Sequence, residues 1–177
     1  MKKLLFAIAL GVMSLSQTAL ASDYGCKVLL CLSNPSGPTA VSQCVPPISQ
    51  LWDDLRHGRA FPTCDEAGAA GSGNHAGNTW ASNSYCAQSL VQLDPMNPTD
   101  PSSASCNAQG GIDVMVNGTL TTRVWWGVGG SGATYETAAA GTVNYDPSQS
   151  VTNAIASYCA ANPGAGGCPG GWGGSGP

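Results

Sequence analysis

The apolar residues of this chain fall into two periodicities. Val45, Ile48, Leu51, Trp52 and Leu55 recur at spacings of 3, 3, 1 and 3, which lays a single stripe along an α-helix. Pro46 and Pro47 fit the first turn of that helix, where a missing N–H costs nothing. Thr39 is an upstream N-cap candidate, and Gly58 is a C-terminal stop. Before it, residues 26–32 (CKVLLCL) form a short apolar run of about two helical turns, ended by the breaker cluster Ser33-Asn34-Pro35-Ser36-Gly37-Pro38. From Ile112 to Trp126 the pattern alternates instead. IDVMV and TLTTRVWW flank Asn117-Gly118, the dipeptide favoured in a type I′ turn, and predict a β-hairpin. On its first arm Ile112, Val114 and Val116 share one face, with Asp113 and Met115 on the other.

Weaker signals surround these two elements. Residues 66–84 (EAGAAGSGNHAGNTWASNS) show no periodicity and predict a boundary or flexible linker. Tyr85 to Leu93 predicts a short helix, broken by Asp94-Pro95-Met96-Asn97-Pro98 and Pro101. Ala133 to Tyr145 predicts one or two irregular strands. Asp146-Pro147 opens a last helix through Ala161, with Val151, Ala154, Ile155 and Tyr158 on one side. The elements add up to a small, disulfide-rich α+β protein. A cysteine-clamped helical hairpin over 22–65 precedes an α+β region over 85–162 that holds the β-hairpin and the C-terminal helix. Residues 163–177 are a Gly/Pro-rich tail, expected to be disordered beyond Cys168.

Composition changes the picture in one respect: charged residues are only 9% of the chain, while 24 Gly and 12 Pro load it with turns. The start reads as a secretory signal, with Lys2 and Lys3, an apolar run from Leu4 to Leu15, and the small-residue site Ala19-Leu20-Ala21. That run falls short of the roughly 20 apolar residues a membrane-spanning helix needs. Cleavage after Ala21 leaves 177 − 21 = 156 residues with 4 basic and 10 acidic side chains, a net charge of −6. Lys27, Arg56, Arg59 and Arg123 form no cluster, so direct nucleic-acid binding is not expected. The signal looks bacterial and points to the periplasm, and the Asn117-Gly118-Thr119 glycosylation triplet is then incidental.

Eight cysteines, Cys26, Cys31, Cys44, Cys64, Cys86, Cys106, Cys159 and Cys168, all follow the signal. An even number in a short exported chain predicts disulfides, with 105 complete pairings open. On one helix Cys26 and Cys31 lie about 140° apart around the axis and cannot bond to each other. Cys44 and Cys64 are their nearest candidates, closing loops of 13 to 38 residues and giving about 3 kcal/mol or more per bridge in the chain-entropy model. Zinc sites repeat close C-x₂₋₄-C pairs, and Cys26-x₄-Cys31 stands alone. The C-x-x-C of thioredoxin-like redox chemistry is absent from the sequence.

No catalytic constellation is legible, and no metal or cofactor is expected. His57 and His75 occur in no nucleophile-elbow, H-E-x-x-H or phosphate-loop pattern. Asp53, Asp54 and Glu66 are the carboxylates for an alternative reading as a secreted cell-wall hydrolase, but adjacent Asp53 and Asp54 on a helix do not face each other. The aromatic residues suggest a further alternative, a surface-exposed binding protein. On a strand Trp125 and Trp126 point to opposite faces, so that one fills the core and the other faces solvent as a partner anchor, or both are covered by the chain itself. Trp52 on the striped helix is a third candidate contact residue.

The run Cys26-Lys27-Val28-Leu29-Leu30-Cys31-Leu32, then Cys44-Val45-Pro46, then Phe61-Pro62-Thr63-Cys64, resembles the TrbM/KikA/MpfK family of conjugal-transfer proteins. The resemblance covers about 40 residues, roughly a quarter of the chain. It implies a non-enzymatic periplasmic accessory of mating-pair formation in a type IV secretion apparatus, with other conjugation or secretion-channel proteins as partners. It says nothing of the hairpin at 112–126 or of the tail.

Overall fold

The structure, a computed structural model, describes residues 19–64 and 73–170. The basic start and apolar run of the leader, Glu66 and the end of the tail lie outside the described residues.

Helix α1 spans Ala19–Leu32 and helix α2 spans Val45–Arg56. The chain between them turns at Asn34, whose Oδ1 accepts from Ser36 N–H, and at Gly37, with φ 108°. A 3₁₀ turn over Ser42–Cys44 then leads into α2 with the two prolines in its first turn. Thr39 is not the N-cap: Cys44 holds that position without a side-chain cap bond, because the 3₁₀ turn already uses the segment between them. The α2 stripe buries Ile48, Leu51 and Leu55 almost completely, while Val45, on the open first turn, is 44% exposed. Gly58, at φ 69°, ends the helix as expected, its N–H bonded to Leu55 O.

Four strands form an antiparallel sheet in the order β1-β4-β5-β6: β1 His75–Trp80, β4 Gly110–Val116, β5 Thr119–Val128 and β6 Gly132–Thr137. A separate two-residue pair joins β2 (Val91–Gln92) to β3 (Ser105–Cys106). The β4–β5 hairpin turns at Asn117 and Gly118, with φ 51° and 74°, the double positive φ of a type I′ turn. Helix α3 spans Ser150–Ala161, and the Asp146 carboxylate accepts from Ser148 N–H just before it. The architecture is thus α+β with an antiparallel sheet and four disulfides.

Two further expectations are corrected. Residues 75–80, within the stretch read as a linker, form edge strand β1. Its sequence shows no apolar alternation, but paired with β4 it leaves His75, Gly77 and Thr79 exposed and turns Ala76 and Asn78 inward, against the core and Trp126. Tyr85–Leu93 is not a helix: Cys86 is tied to Cys106, and the chain makes only a 3₁₀ turn over Gln88–Leu90 before entering β2. Val116 follows Ile112 and Val114 in the alternation, and at the end of the strand beside the turn it is 36% exposed.

One face of the sheet packs on the helices. Val28, Cys31 and Leu32 of α1, with Ile48, Leu51 and Leu55 of α2, meet Ile112, Val114, Val124 and Trp126 in a single core. Cys26–Cys64 and Cys31–Cys44 clamp the helical pair, using the two cysteines that were the nearest candidates in sequence. Gly25 packs directly on the Thr63 backbone, where a Cβ would collide with its carbonyl. On the opposite face, Trp125 and Arg123 are covered by Tyr85 and Tyr145.

Candidate functional site

Trp126, in the middle of the sheet, is the centre of an aromatic row. Trp52 of α2 stacks on it with centroids 6.3 Å apart and planes 13° from parallel. Trp80, the last residue of β1, meets it edge-on at 5.4 Å. Trp126 Nε1 donates to Asn78 Oδ1 at 2.7 Å, which satisfies the one polar atom of a ring only 1% exposed. The row therefore runs from the half-buried Trp52 through a fixed core ring to Trp80, which is 55% exposed.

Beside Trp52 a cleft of about 340 Å³ opens between residues 36–40 and the β5–β6 turn. Pro38 and Thr39 line one wall, Ser131, Ala133 and Tyr135 the other, with Trp52 between them. Tyr135 OH donates to Ser36 O at 3.0 Å, and Gly37 leaves room for the Tyr135 ring. Helical unit and sheet are thus tied together across the cleft.

The other face of the sheet holds a polar cluster. Arg123, 4% exposed, donates from Nε to Asp113 Oδ1 at 2.5 Å, and its guanidinium lies 5.5–6.0 Å from the ring centroids of Tyr145, Tyr85 and Trp125. Tyr85 OH donates to Asp113, and Trp125 Nε1 and Tyr145 OH both donate to Glu136. Burial disfavours the Arg123 charge, but the hydrogen bond and charge of Asp113 outweigh it and hold the group above its ordinary value. Burial and the Asp113 charge push the Tyr85 phenol up to about 12. Burial and Glu136 push Tyr145 up in the same way. Each member is hydrogen-bonded to another member, so the cluster joins the strands, while Arg123 Nη1, also buried, makes no hydrogen bond.

Of the three candidate contact residues, only Trp52 retains access. Trp125 and Trp126 do point to opposite faces, but at 0% and 1% exposure neither can anchor a partner, because both faces of the sheet are covered. His57 lies exposed at the end of α2 against Asp53, and His75 is exposed at the start of β1. Asp54 binds Tyr24 and Arg59 instead of pairing with Asp53. Among the described residues no three or more His, Cys, Asp or Glu side chains gather in a way that could hold a metal ion, and the eight cysteines are joined in four bonds. Trp80, Asn78 and Tyr135 escaped the sequence reading.

Fold and site define a disulfide-clamped α+β domain with an aromatic row leading to a cleft. No family model, curated protein or solved structure matches the chain.

Proposed function

We propose that this chain is an exported, non-catalytic accessory of conjugative DNA transfer, acting in mating-pair formation through contacts with other proteins of a type IV secretion apparatus. One observation carries the reading. The Cys26–Cys64 and Cys31–Cys44 bonds tie α1 to the segments that enter and leave α2, so the segment that resembles the conjugal-transfer family is held as one unit against the sheet. Four disulfides suit an oxidising compartment such as the periplasm. No described helix is long and apolar enough to cross a membrane. An acidic mature chain favours protein partners over nucleic acid.

The test is in-frame deletion of the gene from a conjugative plasmid, with complementation in trans. Transfer frequency should fall and be restored by the wild-type gene, and crosslinking in the periplasm should recover secretion-channel subunits. Undiminished transfer on both solid and liquid matings would overturn the reading.

A further inference from the structure

We propose that the cleft beside Trp52 is a binding site for an uncharged saccharide. The inference goes beyond the role in transfer and does not rest on it.

Size and lining set the class of ligand. At about 340 Å³ the cleft is at the lower end of the roughly 300–1,000 Å³ range of small-molecule sites. No residue that lines it carries a charge, so an ion would surrender its hydration without a counter-charge. A wholly apolar ligand would bury the hydroxyls of Thr39 and Ser131 unpaired, at a cost of about 1–3 kcal/mol each. A pyranose meets both demands. Its C–H faces pack on aromatic rings, and its equatorial hydroxyls bond to hydroxyls and backbone groups around them.

Both rings are fixed before any ligand arrives. Trp52 is stacked on a buried Trp126 that Asn78 holds by its indole nitrogen. Tyr135, 43% exposed, has its hydroxyl engaged by Ser36 O, so the side chain has its ring left to offer. Rings held in place lose little entropy on binding, which is the usual source of affinity in such a site. Thr39 and Ser131, both exposed, stand on opposite walls as hydrogen-bonding partners.

The experiment titrates the oxidised full chain with three probes: N-acetylglucosamine oligomers, glucose oligomers and purified peptidoglycan sacculi. Nuclear magnetic resonance follows the two soluble probes and co-sedimentation follows the sacculi. Saturable shifts of the Trp52 indole, the Tyr135 ring and the Ser131 amide with at least one oligomer are expected. Sedimentation with sacculi in addition identifies a wall glycan as the source, and its absence identifies a soluble one. Ser131→Trp should fill the cleft and weaken binding at least about tenfold. Thr39→Trp should do so from the other wall, so that misfolding of one variant leaves the other to decide. Absence of saturable shifts with both oligomers, shifts confined to residues away from the cleft, or wild-type affinity in a folded variant would each overturn the proposal. None of these outcomes bears on transfer frequency, so the two readings fail separately.

Discussion

Asp113 and Arg123 face each other across the β4–β5 ladder, although counting outward from the Asn117-Gly118 turn does not pair them. Val116 faces Thr119 and Met115 faces Leu120, but Val114 then faces Thr122, and the register skips Thr121. This one-residue bulge rotates the rest of β5. Without it Arg123 would stand opposite Ile112 on the helix-packed face, and Val124 and Trp126 would leave the core. Thr121 is satisfied in its bulged position: its Oγ1 donates to Val114 O, and its carbonyl accepts from Ala138 N–H. The bulge therefore decides at once which tryptophan meets the helices and which carboxylate meets the buried cation.

The pair should respond asymmetrically to mutation. Arg123 has a side chain only 5% exposed, whereas that of Asp113 is 34% exposed. Asp113→Ala strands a buried cation, and a loss of about 3 kcal/mol is expected. Arg123→Met removes the charge, keeps much of the volume, and leaves Asp113 within reach of water, so a loss of about 1 kcal/mol is expected. Chemical denaturation with the disulfides intact measures both. Equal losses, or the reverse order, would show that the buried cation does not depend on Asp113.

Two adjacent glycines make room for two adjacent tryptophans. A Cβ on Gly111 would lie 2.9 Å from a Trp125 ring carbon and 3.0 Å from Tyr85. One on Gly110 would lie 2.5 Å from Trp126 Nε1. Either substitution to alanine should cost about 1–3 kcal/mol by overpacking. Gly77→Ala on the edge strand meets nothing within 4 Å and should change stability by less than about 0.5 kcal/mol. Melting temperatures of the three variants give the comparison. A Gly77 variant as damaged as the other two would show that backbone conformation, not space, is what those positions require.

Local signals made a good part of this molecule legible. The α2 stripe, the Asn-Gly hairpin, the last helix and the exclusion of a Cys26–Cys31 bond each rest on residues whose meaning is set within a turn or two of the chain. Strand β1 was not legible, because HAGNTW has no apolar alternation and owes its place to pairing with β4 across the ladder. Tyr85–Leu93 carried a helix-compatible composition that the Cys86–Cys106 bond overrides. The opposed directions of Trp125 and Trp126 could be read, but not their burial, since what covers each face comes from distant segments. Arg123 looked like one of a few scattered cations because its partner depends on a bulge that leaves no mark in the hydrophobic pattern.

The tyrosines of the polar cluster make the fold sensitive to alkali. Tyr85 holds its proton more tightly in the folded chain, with its value raised from 10.0 to about 12 by burial and the Asp113 charge. Tyr145 is shifted in the same direction by burial and Glu136. A group whose value is raised on folding contributes stability that is complete below its unfolded value and is lost as pH rises through the folded one. Denaturation midpoints should thus hold up to about pH 10 and fall between pH 10 and about 12. Tyr85→Phe should flatten that fall, and tyrosinate absorbance should develop later in the folded protein than in denaturant. A slope unchanged by Tyr85→Phe would remove this residue from the effect.

The two clamps on the helical pair should differ in what they contribute. Cys26–Cys64 spans 38 residues of sequence and Cys31–Cys44 spans 13. If each bond acts by restricting the unfolded chain, the longer loop is worth about 4 kcal/mol and the shorter about 3. Native packing adds to this difference, because Cys64 anchors the segment whose Thr63 carbonyl sits against Gly25 of α1. Losing that bond frees the return of the chain onto the helix, whereas losing Cys31–Cys44 leaves Cys31, 5% exposed, still inside the core formed with Leu32 and Ile48. The paired alanine variant at Cys26 and Cys64, which puts no hydroxyl into the core, should therefore be less stable than the alanine pair at Cys31 and Cys44 by at least about 1 kcal/mol. Guanidinium unfolding of the two oxidised variants decides the matter, and the opposite order would mean that the short clamp, not the long one, sets the approach of α1 to α2.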